Sequence, residues 1–565
     1  MIRIRFTGLL AALSLLIACS PAEKEKTDTY DVIIRGGTVY DGSGTPGHIA
    51  DVGIRDQRIA AIGDLKDDKA ATEIDAKGLA VAPGFINMLS WAVNSLVADG
   101  RAMSDIKQGV TLEVFGEGVS MGPLNDDLKA RYQARQGDIK YPITWTTLGE
   151  YLDFLVGHGI APNVASFVGA TTVRTYVVGY DDRRASTMEL HEMQALVRQA
   201  MEEGALGVGS SLIYAPAFFA DTDELNALAS AAGEKGGMYI SHMRSESGGL
   251  LTAVDELIRI AREAGVAAEI YHLKASGRPN WHLIDALFDK VNAARAAGLA
   301  ISADMYTYPA SATGLDAAMP LWVQEGGHDA WVARLKDPAI RARVVAEMEA
   351  GTGDARFTQI GPENILLVDF RNPALKPLTG KRLSEVATAR HKGAAETAID
   401  LVIEDNSRVG VVYFSMTEAN LPKKIRQPWV SFGSDAGAPA AEGVFLKSST
   451  HPRAYGNVAR LLGRYVRQQK VITLTEAIRR LTSLPARNLK LRHRGRLAAG
   501  YFADIAIFDA DTIIDRATFE KPHQYATGMV HVLVNGTPVL KDGEPTGATP
   551  GQVVRGPGWS GWQTG

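Results

Sequence analysis

The middle of the chain repeats one pattern, in which an amphipathic helix, a glycine and a short apolar run follow one another. The clearest examples are "ELHEMQALVRQAMEEGALGVGSSLIY", "LASAAGEKGGMYISHM" and "AVDELIRIAREAGVAAEIYHL". Helices that alternate with buried strands in this way are typical of βα units, which build a parallel sheet covered by helices. The pattern therefore predicts an α/β fold with a TIM-like (β/α)₈ barrel at its centre.

The two ends of the chain have a different sequence pattern, one typical of β-hairpins. "DVIIRGGTVYDGSG" near the start and "MVHVLVNGTPVLKDGE" near the end contain short β-like runs with Asp-Gly or Asn-Gly turns. Residues 315–425 contain few clear buried strands, and part of them is expected to form an insertion over the barrel mouth. We expect one small β-sandwich from residues 30–82 and 489–548, a barrel over 83–488 and a C-terminal tail over 549–565.

The first residues resemble the leader of a bacterial lipoprotein. Arg3 and Arg5 precede an apolar run over residues 8–18, which is too short to span a bilayer as a mature helix. The run ends in Leu-Ile-Ala-Cys, which resembles a lipobox, and Cys19 is the only cysteine of the chain. This pattern predicts a signal peptide over 1–18, a lipid on Cys19 that anchors the protein to the membrane, and a polar tether over 19–29.

Composition narrows the classes of partner. The formal net charge is -4, and no basic stripe with interleaved aromatic residues occurs in the sequence, so nucleic-acid binding is not expected. A small-molecule substrate fits the chain better, and its oligomeric state stays open. The expected location is the bacterial cell envelope, with the protein facing the periplasm. Ser20, directly after Cys19, favours the outer membrane.

Four chemically suitable side chains fall where predicted strands end, which is where barrel enzymes carry their active sites. Glu117 ends "LEVFGEG", His242 and His272 end two strands 30 residues apart, and Asp435 follows "WVSFGSD". Two imidazoles and a carboxylate predict a catalytic zinc site with one position open to water. Such a cation activates water and polarises a carbonyl, and Asp435 could move the proton to the leaving nitrogen. Glu113, in the same strand, competes with Glu117 for the ligand role.

A series of motifs in a fixed order resembles one known family. It includes "APGFI", "QGVTLEVFGEGVSMGP", "SHMRSE", "YHLKASG", "DMYTYPASATGL", "GSDAG" and "HPRAYG". The chain is similar to the D-aminoacylase (N-acyl-D-amino-acid deacylase) branch of the amidohydrolase superfamily over nearly everything after residue 30. This resemblance implies a zinc-bearing barrel with a β-sandwich, which hydrolyses the amide bond of N-acyl-D-amino acids or small peptide-like amides.

The resemblance also implies a ligand set with two departures from the family pattern. Members of this branch ligate zinc with a cysteine and two histidines, and the motifs lay Glu117, His242 and His272 on those positions. The His-x-His pair that serves a second, weaker metal in the family is replaced here by Leu89 and Trp91. We expect one tightly bound Zn²⁺, with other divalent metals more competitive because a carboxylate is harder than a thiolate.

Four further residues are implied as substrate contacts. The resemblance puts Tyr214, Lys274, Tyr306 and Arg453 where the family binds the amino-acid carboxylate and orients the amide, and a guanidinium fork suits a carboxylate. The alternative for the two cations is an ordinary surface or loop position. For the two tyrosines it is a core position with a hydrogen-bonded hydroxyl group.

Other residues and functions compete with this interpretation. Arg244 could pair with an acid such as Glu246, and His451 is expected to be structural. A dipeptidase or a cyclic-amide hydrolase of the same superfamily would use the same metal chemistry. A non-catalytic binding lipoprotein would keep the barrel fold and lack this metal chemistry.

Overall fold

The computed structural model describes residues 1–2, 30–351 and 356–563. The predicted anchor Cys19, the tether and all of the signal peptide except Met1 and Ile2 lie outside this range. In the described part of the chain, no helix is both long enough and apolar enough to cross a membrane.

The strands and α-helices follow one another along the whole described chain. The strands are β1 (Tyr30–Val39), β2 (His48–Arg55), β3 (Arg58–Gly63), β4 (Ala70–Asp75), β5 (Ala80–Pro83), β6 (Phe85–Asn87), β7 (Val110–Phe115), β8 (Asn163–Ser166), β9 (Val168–Gly169), β10 (Gly207–Ser211), β11 (Met238–His242), β12 (Ala268–Ile270), β13 (Ile301–Met305), β14 (Ser311–Gly314), β15 (Ile365–Asp369), β16 (Gly410–Tyr413), β17 (Val430–Phe432), β18 (Ile505–Phe508), β19 (Met529–Val534), β20 (Thr537–Lys541) and β21 (Glu544–Pro545). The α-helices are α1 (Ser95–Ala98), α2 (Met103–Ile106), α3 (Asp126–Ala134), α4 (Leu148–His158), α5 (Ala170–Val177), α6 (Thr187–Glu202), α7 (Thr222–Gly233), α8 (Leu250–Ala264), α9 (Leu283–Ala296), α10 (His328–Leu335), α11 (Pro338–Ala350), α12 (Arg356–Ile360), α13 (Leu383–Ala389), α14 (Ala394–Asp405), α15 (Asn420–Ile425), α16 (Arg453–Arg460), α17 (Leu474–Leu481) and α18 (Ser483–Asn488).

Parallel strands form a barrel at the centre of the molecule. β6, β7 and β8 pair in parallel, and β9 continues β8 into the parallel series β10, β11, β12, β13 and β17. The amide of Met88, just after β6, donates to the carbonyl of Phe432 in β17 at 3.1 Å, which connects the last strand to the first. The predicted α/β barrel is therefore confirmed.

The helix α8 shows how the sequence pattern produces the outer layer. Its buried residues recur at helical spacing along one face, whereas Asp255, Arg259 and Glu263 of the same helix form ion pairs with exposed partners. The helix ends at Gly265, which has a φ of 66°, a left-handed conformation that glycine adopts without steric cost. The buried face packs against the neighbouring helices and the strands, so the helix forms because the barrel covers its apolar side.

Strands from both chain ends share one sheet, as expected from the sequence. β18 pairs antiparallel with β5, with Ile505 opposite Pro83 and Phe508 opposite Ala80. The sheet continues through β19, β20 and β21 on one side and through β1, β2 and β3 on the other. Further along, Val553 forms a bridge with Val164 in barrel strand β8. The C-terminal segment thereby ties the barrel to the end domain.

The segment between β13 and β17 forms a separate layer over the barrel mouth. β14, β16 and β15 make a small antiparallel sheet, and α10 to α14 pack around it on their own apolar core. The strands β15 and β16 within this segment are largely buried, although their sequences gave no clear strand signal. A short apolar run fits a buried strand as well as part of a buried helix, and the periodicity of a single sequence does not distinguish these two elements.

Candidate metal centre

A cavity of about 1000 Å³ lies between the carboxyl ends of the barrel strands and the covering segment. All four of the strand-end residues predicted to carry the chemistry line it: Glu117, His242, His272 and Asp435. Each follows or ends a different strand, namely β7, β11, β12 and β17. The barrel therefore collects side chains that are up to 318 residues apart in the sequence around one space.

Glu117 and the two histidines meet at a single carboxylate oxygen. Glu117 Oε1 lies 2.9 Å from His242 Nδ1 and 2.9 Å from His272 Nε2. The two imidazole rings are almost perpendicular, at 84°, with centroids 4.4 Å apart. One ligand atom from each of the three residues lies within 4.8 Å of the other two, and all three side chains are buried.

This donor set fits a divalent metal ion such as zinc. One carboxylate and two imidazoles are the protein ligands of a catalytic zinc site, and a fourth position then stays open toward the cavity. Burial lowers the pKa of His242 to about 4, so its imidazole is neutral and free to coordinate at pH 7. For Glu117, burial opposes ionisation, but the contacts with His272 and His242 hold its pKa well below the usual range. The site therefore presents an anionic oxygen beside imidazole nitrogens.

The turn that presents Glu117 depends on the glycines on either side of it. Gly116 has a φ of 105° and Gly118 a φ of 71°, both in the region that disfavours other residues. A Cβ atom at residue 118 would lie 2.4 Å from Ser211 Cβ, and one at residue 116 would lie 2.4 Å from the carbonyl oxygen of Phe167. The Gly-Glu-Gly sequence is thus required by the close approach of the neighbouring strands.

Glu113, the competing candidate, belongs to a different group of side chains. It is fully buried inside the barrel, where its Oε2 accepts a hydrogen bond from the Asn87 amide at 3.0 Å. Burial raises its pKa, and the same amide lies 3.3 Å from Asp105. Glu113 is not part of the metal-ligating cluster, so the structure favours Glu117 for that position.

A second carboxylate, which the sequence interpretation did not assign to the site, lies behind the histidines. Glu246 Oε1 is 3.1 Å from His272 Nδ1, and Oε2 is 3.6 Å from His242 Nε2. Glu246 also accepts a hydrogen bond from Lys274 Nζ at 2.5 Å. The only signal in the sequence was its position four residues after His242, in the loop that follows β11. Carboxylates in this position fix the orientation of a ligating imidazole and raise its basicity.

Lys274 belongs to the same inner layer. Lys274 Nζ lies 2.7 Å from His272 Nδ1, and the residue as a whole is 3% exposed. Burial and Lys274 oppose protonation of His272, but the carboxylates Glu117 and Glu246 outweigh them and raise its pKa to about 9. Lys274 is therefore an ion-pair partner of Glu246 beside His272, and its side chain also borders the cavity.

Asp435 and Arg453 form an ion pair that also lines the cavity, with side chains that are 11% and 3% exposed. Arg453 Nη1 lies 2.8 Å from Asp435 Oδ2, and Asp435 has a left-handed φ of 50°. Non-glycine residues rarely adopt this conformation, and such residues concentrate at functional sites. Burial raises the pKa of Asp435 to about 6, although the Arg453 charge opposes this increase. Asp435 is thus poised to accept and release a proton near neutral pH.

The two predicted tyrosines occupy different positions. Tyr214 borders the cavity, packs edge-on against His242 with ring centroids 5.4 Å apart, and shares a hydrogen bond with Thr313 of the covering segment at 2.8 Å. Tyr306 is 1% exposed and lies behind the cations, with Arg453 Cζ 4.4 Å from its ring centroid. Its hydroxyl group has no hydrogen-bond partner among the described residues.

The two remaining candidates have structural partners. Arg244 pairs with Glu256 at 2.9 Å rather than with Glu246, and it also donates to carbonyl groups of the loop before α7. Arg244 thus pairs with an acid, as expected, but the partner is Glu256 and not the example Glu246. His451 Nε2 is 3.0 Å from the carbonyl of Ala310, and its Nδ1 accepts from the Arg453 amide. This is the structural role that we expected.

Comparison with known proteins identifies one family and several similar proteins. Residues 72–540 match the model of the amidohydrolase family. A D-aminoacylase from Alcaligenes xylosoxydans xylosoxydans is 34% identical over 93% of this chain and 97% of its own length. The structure of an N-acyl-D-glutamate deacylase from Bordetella bronchiseptica, complexed with zinc and a phosphonate mimic of the tetrahedral intermediate, is 30% identical with a TM-score of 0.77, covering 94% of this chain and all of that chain.

A further structure concerns the metal centre itself. It is a D-aminoacylase described as having a binuclear metal centre, with one-metal activation and second-metal attenuation. It is 31% identical with a TM-score of 0.76, and the match covers 93% of this chain and all of that chain. With its family match, its relatives and its barrel-mouth donor set, the chain belongs to the amidohydrolase family, in the branch of the D-aminoacylases.

Proposed function

We propose that the protein hydrolyses the amide bond of N-acyl-D-amino acids, with a single divalent metal ion, zinc foremost, held by Glu117, His242 and His272. The observation that carries this proposal is the convergence of the three ligands in one cavity with the Asp435–Arg453 pair. A zinc ion in such a site polarises a carbonyl oxygen and makes water acidic enough to lose a proton near pH 7.

The residues of this chain supply the proton transfers. Asp435 accepts a proton from the attacking water when it is ionised, and its pKa of about 6 leaves most of it ionised at pH 7. The protonated carboxyl group then donates to the leaving nitrogen, which departs as an amine. The ion pair with Arg453 keeps the Asp435 carboxylate in one orientation during both steps.

The same arginine offers a binding site for the substrate carboxylate. Arg453 is 2% exposed, and its Nε has no hydrogen-bond partner among the described residues. Leaving a buried guanidinium donor unpaired is costly, and a substrate carboxylate that binds there removes the cost. Tyr306 supports the guanidinium from behind through its ring face. A free carboxylate beside the scissile amide is therefore the expected substrate feature.

The test is a substrate panel run on zinc-loaded protein with its metal content measured. It contains N-acetyl-D- and N-acetyl-L-amino acids, the corresponding D-amino-acid amides that lack the carboxylate, dipeptides and a cyclic amide. We expect the D-acids to be hydrolysed fastest. Failure of metal-loaded protein to hydrolyse any N-acyl-D-amino acid would reject the proposal, and a preference for L-acids would reject the D-specific part alone.

Variants of Arg453 separate the competing hydrolases. Arg453→Ala is expected to lower kcat in either hydrolase because Asp435 loses its charge partner. KM separates the two: it should rise strongly for N-acyl-D-amino acids, whereas a cyclic-amide hydrolase, which needs no carboxylate contact, would keep its KM. Arg464→Ala serves as the matched control because Arg464 pairs with Glu418 on the surface, outside the cavity. A non-catalytic binding protein would stay inactive with every substrate after zinc or cobalt is added.

We also propose that the mature protein is a lipoprotein anchored through Cys19 and facing the periplasm. The support is the sequence alone: two arginines, the apolar run over 8–18 and the lipobox-like Leu-Ile-Ala-Cys. Incorporation of radiolabelled palmitate into the wild-type chain and not into Cys19→Ala would support the anchor. Equal labelling of both chains, or none of either, would reject it.

A further inference from the structure

Trp91 occupies one of the two positions at which the family pattern has a metal-binding histidine, and its indole contacts the metal centre directly. Trp91 Nε1 donates a hydrogen bond to Glu117 Oε2 at 2.9 Å. The other oxygen of the same carboxylate, Oε1, faces His242 and His272. The two oxygens of Glu117 thus have different partners.

The backbone around Trp91 is fixed by the barrel. The amide of Ser90 donates to the carbonyl of Val114 in β7, and the amide of Trp91 donates to the carbonyl of Ala436 after β17, each at 2.9 Å. These bonds hold residue 91 between the first, second and last strands of the barrel. The indole therefore approaches Glu117 from a rigid position, although 37% of the tryptophan surface is exposed to the cavity.

An indole N–H differs from an imidazole in what it can do for a metal. It is only a donor, carries no charge and has no lone pair to coordinate a cation. The N–H occupies one lone pair of Oε2 and withdraws charge from that oxygen, so it favours metal binding through Oε1 over bidentate binding or bridging of two cations. In the described residues, Glu117, His242 and His272 are also the only group of three His, Cys, Asp or Glu side chains with the spacing of a metal site.

We propose that Trp91 is a positioning residue that holds Glu117 as a one-oxygen ligand and limits the centre to one metal ion. Hydrogen bonds to a ligating carboxylate typically contribute 10- to 100-fold in metal affinity. This inference rests on the proposed metal centre and not on the identity of the substrate.

The test measures metal binding rather than turnover. Metal-stripped full-length protein is dialysed against increasing zinc, bound zinc is counted per chain, and the affinity is obtained by competition with a chelator. The variant is Trp91→Phe, which keeps an aromatic ring and removes the donor. Trp322→Phe is the matched control, since Trp322 Nε1 also donates to a glutamate, Glu347 Oε2 at 2.7 Å, in the covering segment.

We expect one zinc per wild-type chain at saturation, an affinity about 10- to 100-fold lower in Trp91→Phe, and an unchanged affinity in Trp322→Phe. Melting temperatures measured in chelator show whether either variant is destabilised without metal. Two zinc ions bound per wild-type chain at saturation would overturn the proposal, whatever the variants show. Equal affinities of Trp91→Phe and Trp322→Phe would overturn it as well. One tightly bound zinc without hydrolysis of N-acyl-D-amino acids would reject the proposed function and leave this inference intact.

Discussion

Replacing Asp435 by asparagine removes the proposed acid–base group while keeping the size of the side chain. The Asp435 side chain is 11% exposed, and its carboxylate lies 2.8 Å from Arg453 Nη1. The asparagine oxygen can still accept from that guanidinium, but it cannot take up a proton from water. We therefore expect the substrate to bind and the proton transfers to fail.

The magnitude follows from the pKa of about 6 and from the usual contribution of such a group. A positioned general acid–base residue contributes about 10²- to 10⁴-fold, so kcat should fall by that factor. Only ionised Asp435 can accept the proton. A pKa of 6 therefore makes wild-type kcat/KM fall by at most about tenfold between pH 7 and pH 5. A cation bound by Glu117 favours the ionised form and moves this acidic decline to lower pH, not higher.

The assay is kcat and kcat/KM against pH at saturating zinc, for the wild type and Asp435→Asn, with bound zinc counted at each pH. The variant should hold the same amount of zinc as the wild type and lose the acidic decline. Activity above a tenth of wild type, or an unchanged acidic decline in the variant, would refute the role of Asp435.

Three further variants test separate parts of the account. Glu246→Gln removes the charge behind the histidines and should lower zinc affinity about 10- to 100-fold by chelator competition, and an unchanged affinity would contradict that role. Arg453→Lys keeps a charge near Asp435 but loses the planar fork, so KM for N-acyl-D-amino acids should rise more than kcat falls, and an unchanged KM would argue against carboxylate binding. Glu224→Gln removes the charge partner of Arg174, whose side chain is 1% exposed and lies 2.5 Å from Glu224. Denaturant unfolding should therefore show a free energy of unfolding lower by about 3–5 kcal/mol, with kcat unchanged. A decrease below about 1 kcal/mol would contradict this expectation.

The barrel and its catalytic edge could be predicted because they follow from short-range patterns. Each helix, glycine and apolar run is local, and parallel strands place their carboxyl ends at one edge, so Glu117, His242, His272 and Asp435 were found together. The sheet of the covering segment was missed because β15 and β16 are short and largely buried. Such strands lack the alternation that marks a half-buried strand.

The contacts around the metal centre depend on side-chain directions that no spacing specifies. Glu246 lies in a loop after β11, and its approach to both histidines results from the path of that loop. Arg244, two residues earlier, turns outward to Glu256 for the same reason. The resemblance to the family also implied that Trp91 stands at a position where its members have a histidine. The hydrogen bond from its indole to Glu117 could not be predicted, because it depends on how the fold places β6, β7 and β17 side by side.

The central claim is that one cation is shared by Glu117, His242 and His272, and it is tested most directly by anomalous diffraction at the zinc edge from crystals of the zinc-loaded protein. The account predicts one anomalous peak at the mouth of the barrel, within about 2.0–2.2 Å of a Glu117 oxygen and of one nitrogen from each histidine. A zinc peak coordinated by other residues, or no peak between these three side chains at saturating zinc, would contradict it.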